Sequence, residues 1–101
     1  MKGRIDKTIA LISMGDDFDD EGTIEYIPIK TYDSIALALD ALYDLYVSTA
    51  QRAQFEGVLT YTEIGQCFDG QWHFTIMEKM RDRADGLCTR AKIDLIDLIT
   101  E

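Results

Sequence analysis

The stretch VLTYTEIGQCFDGQWHFTIM, residues 58–77, decides what kind of domain this chain forms. Read as strands, two apolar runs flank Asp69-Gly70, a dipeptide whose glycine readily takes the left-handed backbone of a tight hairpin. Read as helices, Thr60 or Thr62 caps a short helix through Phe68, and a second helix runs over residues 71–84. His73, Ile76, Met77, Met80 and Ala84 then share one face, while Glu78, Lys79, Arg81 and Asp82 point outward. The helical reading is preferred, because residues 77–84 repeat at helical spacing and residues 71–76 join them without a break.

The neighbouring segments are clearer. Upstream, residues 33–54 read as one long amphipathic helix, capped by Asp33 or Ser34, whose side-chain oxygen accepts a first-turn N–H. Ile35, Leu39, Leu42, Tyr46, Thr49, Ala50 and Ala53 fall on one face, and Gly57 offers a left-handed stop. Before it, residues 4–14 and 23–31 alternate or cluster β-branched types and form an antiparallel hairpin around residues 15–22. Pro28 has no N–H for a ladder, which marks its strand as an edge. Downstream, Cys88, Ala91, Leu95, Ile96 and Ile99 line one side of a helix over residues 87–99. The expected fold is α+β, a single compact domain over residues 1–101. An N-terminal antiparallel β-hairpin packs on a long helix followed by two or three further helices. The alternative is ββαββα, with the second hairpin at 58–77.

Charge narrows the function. The formal net charge is −9, and residues 1–57 carry 11 acids against 5 bases. A nucleic-acid binder needs cations to displace phosphate counterions, so direct DNA or RNA binding is disfavoured. Anionic membranes are disfavoured for the same reason. No apolar run approaches the ~20 residues that span a bilayer, and no secretory leader is evident. The location expected is cytoplasmic. Cys67 and Cys88 read as free, mostly buried thiols of a reducing compartment. With two cysteines and one histidine, His73, a zinc site lacks ligands.

The densest charge lies in Gly15-Asp16-Asp17-Phe18-Asp19-Asp20-Glu21-Gly22. Read from Asp17, this loop partly matches a calcium-binding EF-hand, but Pro28 stands where the closing bidentate glutamate belongs, and no helix enters it. A solvated tip or a dock for Arg and Lys side chains fits better. A second acidic set, Asp33, Asp40 and Asp44, follows three-and-four spacing along the outer side of the long helix, at about 5–6 Å between neighbours. A row on that scale can occupy a groove built for a phosphate backbone. Leu37 and Tyr43 lie among these acids, as in a protein-binding patch.

Chemistry has less support. There is no Gly-x-Ser-x-Gly elbow, phosphate-binding glycine loop or dinucleotide fingerprint. His73 lies in the apolar run Gln71-Trp72-His73-Phe74 and reads as a core or interface histidine. A faint helix-turn-helix, residues 59–66 followed by Asp69-Gly70 and a helix beginning at Gln71, lacks basic residues at the start of its second helix.

The function expected is a small acidic inhibitor, not an enzyme, with no cofactor and no metal. Asp16, Asp17, Asp19, Asp20, Glu21, Asp33, Leu37, Asp40, Tyr43 and Asp44 would bind a protein with a basic surface, part of a nucleic-acid-handling complex. In composition, without any motif, the chain is similar to phage anti-CRISPR and other anti-defence proteins, and to immunity proteins against nuclease toxins. The alternatives are a divalent-cation-binding regulatory module and a non-catalytic oligomeric structural protein.

Overall fold

The computed structural model describes residues 4–17, 24–79 and 86–100. In chain order it has strands β1 (Arg4–Asp17) and β2 (Ile27–Tyr32), helix α1 (Ile35–Phe55), then strands β3 (Leu59–Gln66), β4 (Trp72–Glu78) and β5 (Leu87–Thr100). The strands form one sheet in the order β2-β1-β5-β4-β3, with every neighbouring pair antiparallel. The N-terminal strand pair is present, and Pro28 lies on an edge strand.

The expected run of helices after α1 is overturned. Residues 59–66 and 72–78 are a β-hairpin turning at Asp69-Gly70, where Gly70 has φ of 92°. The expected helix over residues 87–99 is the central strand β5, so the ββαββα alternative fails at its last element too. Residues 80–84, the remainder of the expected second helix, lie outside the described residues. The physical reason is a competition between two periods. Arg90, Lys92 and Asp94 alternate with Ala91, Ile93 and Leu95. That period of two puts the apolar residues on one face of a sheet. The same residues match a helical stripe equally well, but β5 pairs with β1 along its length and with β4 over residues 87–92, which satisfies its backbone groups there.

Helix α1 starts where Ser34 Oγ accepts the Leu37 N–H at 3.2 Å. It stops in two bonds, Gly57 N–H to Gln54 O at 3.1 Å and Val58 N–H to Ala53 O at 3.0 Å. This paired closure needs a left-handed residue, and Gly57 supplies it with φ of 73°. The helix leaves β2 at one edge of the sheet and delivers β3 at the other, so it crosses one face. There it buries Ala38 and Leu42 against Ala10 and Ile12 of β1, Phe74 and Ile76 of β4, and Ala91 and Ile93 of β5. The alanines let the backbones approach closely, and the large fully buried residues Phe74, Ile12, Leu42 and Ile76 fill the remainder. Each contributes on the order of 1.5–3 kcal/mol by leaving water. Ile35, expected on the inner face, is partly exposed, and Ala38 lies at the centre instead.

Near the helix C-terminus, Arg52 holds the carboxylate of Glu78, which is only 6% exposed, and also bonds Glu56. Glu78 is the main reason the Arg52 guanidinium is pushed further up from an already high value. Among the described residues the opposite sheet face carries no helix. Residues 24–26 cross it instead, pressed onto Gly15. A Cβ at position 15 would collide with the Ile24 side chain and the Glu25 carbonyl. Gly15→Ala is therefore expected to lower stability by about 2 kcal/mol, the scale of an overpacked site. Urea unfolding of the two proteins measures it.

Candidate functional site

Two surfaces differ in chemistry, one on the helix and one on the open sheet face. The outer side of α1 carries Leu37, Asp40, Tyr43 and Asp44, all exposed; Leu37 is 53% and Tyr43 57% accessible. They lie on less than two turns beyond Leu37, within about 10 Å along the helix axis. The Tyr43 ring leans on Tyr46, with centroids 6.2 Å apart, and Tyr46 stacks edge-on against the buried Phe74. The exposed ring is thus braced on the core.

The other acids of the sequence reading are placed apart. Asp33 precedes the helix and accepts from Lys7 Nζ at 2.7 Å. That hydrogen bond and the lysine charge hold its carboxyl below the ordinary range. Asp16 sits near the other end of β1, where Thr89 Oγ1 donates to its Oδ1 at 2.9 Å. Nine residues of strand between Lys7 and Asp16 span about 30 Å. Asp33 and Asp16 therefore belong to different ends of the molecule. Asp17 closes β1, and its side chain lies outside the described residues. Asp19, Asp20 and Glu21, and with them the EF-hand-like match, lie there too.

The open sheet face holds a cluster that sequence reasoning missed. Across the β3–β4 hairpin, Gly65 pairs with His73 and Glu63 with Thr75. Period-two alternation then sets Glu63, Gly65, Cys67 and His73 on one side of the sheet. Cys67 Sγ lies 3.2 Å from His73 Nδ1, and His73 Nε2 lies 3.4 Å from Glu63 Oε1. The imidazole tautomer protonated at Nε2 satisfies both contacts. Gly65, opposite the ring, has open space where a side chain would stand.

The Tyr61 hydroxyl donates to Glu63 at 2.6 Å. That bond is the main cause of a Glu63 carboxyl lower than ordinary, with His73 and Arg90 adding to it. The same bond raises the Tyr61 phenol. On the next strand, β5, Lys92 pairs with His73 and Arg90 with Thr75. Tyr26, carried by the crossing segment, covers Lys92, whose Nζ is 4.5 Å from the ring centre. Tyr26, Glu63, Cys67, His73, Arg90 and Lys92 line a recess of about 220 Å³.

The expected buried thiols are corrected here: Cys67 is exposed and Cys88 half-buried, both free. His73 sits half-buried on a sheet face rather than in the core. The legible signal was Glu63-x-Gly65-x-Cys67 facing His73 across Asp69-Gly70. It has meaning only once both runs are strands. Among the described residues, no group of three or more His, Cys, Asp and Glu side chains is arranged to hold a metal ion. The reason at this cluster is direct: Cys67 and Glu63 contact opposite nitrogens of one ring and cannot converge on one ion. No helix among the described residues is long and apolar enough to cross a membrane. Comparison with family models, curated proteins and solved structures finds no match.

A depressed folded value means that ionised Glu63 adds stability above its unfolded range, lost as pH falls through the folded value. Removing the phenol weakens that contribution. Tyr61→Phe is expected to move the Glu63 titration midpoint upward, toward the ordinary glutamate range. Carboxyl ¹³C NMR follows it, and the stabilities of the two proteins should converge at the acid end.

Proposed function

We propose that the protein is a non-catalytic inhibitor, working in the cytoplasm, that docks the outer face of α1 onto a basic, nucleic-acid-binding groove of another protein. The observation that carries this reading is the exposure of Leu37 and Tyr43 among Asp40 and Asp44 on one rigid helix surface. Apolar and aromatic residues ringed by like charges are the ordinary make-up of a protein-binding patch. The acids would speed encounter with a cationic groove, and the braced Tyr43 would hold the complex once formed. Asp33, engaged by Lys7, would sit at the border of this surface. Asp16, at the other end of the molecule, would form a separate contact.

A second reading, self-association, is favoured by Leu95 and Ile99, which share one face of β5 and are 61% and 63% exposed. Such an interface would be apolar and indifferent to salt.

The test starts with capture of partners from source-cell lysate by the wild type. Two variants, Asp40→Asn/Asp44→Asn and Leu37→Ala/Tyr43→Ala, are then measured against the captured protein. The first is expected to slow association about tenfold at low salt, an effect that disappears as salt rises. The second is expected to weaken binding about 30-fold through faster dissociation, the scale of a lost anchor residue. Unchanged kinetics in both would overturn the docking face. Salt-independent dimers seen by sedimentation would support the second reading.

A further inference from the structure

We propose that Cys67 is a reactive thiol that exchanges with small anionic disulfides, with His73 as its proton acceptor and Arg90 and Lys92 as the anion-selecting groups. Three observations converge. The thiol is exposed and 3.2 Å from the imidazole Nδ1. The far nitrogen of that ring faces Glu63, which steadies the imidazolium formed when the thiol gives up its proton. The recess beside them is lined by Arg90 and Lys92 against the single carboxylate of Glu63, with Asp94 3.4 Å from the Lys92 ammonium, in a chain whose net charge is −9.

The choice of disulfide chemistry over acyl transfer follows from the backbone. An acyl intermediate needs free N–H donors for its oxyanion. The nucleophile's own N–H is committed, Cys67 N–H to Gln71 O at 2.8 Å, and at the turn Gly70 N–H bonds Cys67 O and Gln71 N–H bonds Asp69 Oδ1. Thiol exchange builds its charge on a departing sulfur instead, which needs a proton donor and not an oxyanion hole.

The step balances without a further reagent. The Cys67 proton passes to His73 Nδ1, and the thiolate attacks one sulfur of the disulfide. A new S–S bond forms as the old one breaks. The departing thiolate takes the proton from His73. Cys67 is oxidised by the disulfide, whose leaving half is reduced to a thiol. The product is a mixed disulfide and not an internal bridge. The hairpin bonds Cys67 to Gln71, whereas Cys88 pairs with Met77. Six residues of β4 separate those partners, about 20 Å, far beyond disulfide reach.

Glu63 is a positioning residue, and Gly65 keeps the approach to His73 open. Arg90 and Lys92 favour anions against the field of the whole molecule, which attracts cations. This opposition gives the test its power.

In a Cys88→Ser background, exchange is followed by intact mass with two reagents of opposite charge, glutathione disulfide and cystamine. The anionic reagent is expected to react faster. Arg90→Gln/Lys92→Gln is expected to slow it about tenfold, while cystamine keeps or gains rate. His73→Ala is expected to slow both reagents by about 10²-fold, and added imidazole should restore much of that loss, which a folding defect would not allow. Cys88, measured in Cys67→Ser, serves as the ordinary thiol. Cys67 reacting no faster than Cys88, a preference for cystamine in the parent, or His73→Ala unchanged would each overturn the proposal.

Discussion

One helix has to cross a whole sheet. Strand β2 ends at one edge and β3 begins at the other, and α1 is the connection between them. Five strands set about 4.8 Å apart make a sheet some 19 Å wide between its outer strands. A helix of 21 residues, about 31 Å long, can traverse that width obliquely and bury one face. Among the described residues no second helix covers the other face. Everything distinctive about the molecule follows from that asymmetry.

The covered face is small where the helix rests and large where it does not. Ala10, Ala38, Ala53 and Ala91 are fully buried, and Phe74, Ile12, Leu42 and Ile76 pack around that close contact. Arg52 reaches from the end of the helix to Glu78, so a nearly buried carboxylate is compensated where the sheet meets the last turn. The uncovered face obeys the opposite rule. Glu63, His73, Arg90 and Lys92 lie on it, and residues 24–26 cross it by the gap that Gly15 leaves. An open polar face is where a thiol, an imidazole and a carboxylate can meet while remaining in reach of solvent. The outer side of the helix, by contrast, is exposed and carries acids around Leu37 and Tyr43.

The two surfaces also differ in how they are built. The helix face is local: residues three and four apart in sequence are neighbours whatever the rest of the chain does. Its composition was therefore readable before any strand was paired. The sheet face is non-local in part. Glu63 comes from β3 and Cys67 from the turn that follows it, His73 from β4, and Arg90 and Lys92 from β5. Spacing along the chain does not bring these groups together; cross-strand register does.

Local chemistry in the sequence by itself determined the N-terminal strand pair, the long helix, the Gly57 stop, the edge position of Pro28 and the acidic helix face. Each depends on residues close in the chain. Capping by Ser34, the positive φ of Gly57 and the missing N–H of Pro28 act within a few residues. Only the tertiary structure decided residues 59–66, 72–78 and 87–100. Their apolar residues satisfy a period of two and a helical period nearly as well, and partner strands selected between them. Because β5 pairs on both sides, its period of two prevailed. With that choice came the meeting of Cys67, His73 and Glu63, which no one-dimensional pattern contains.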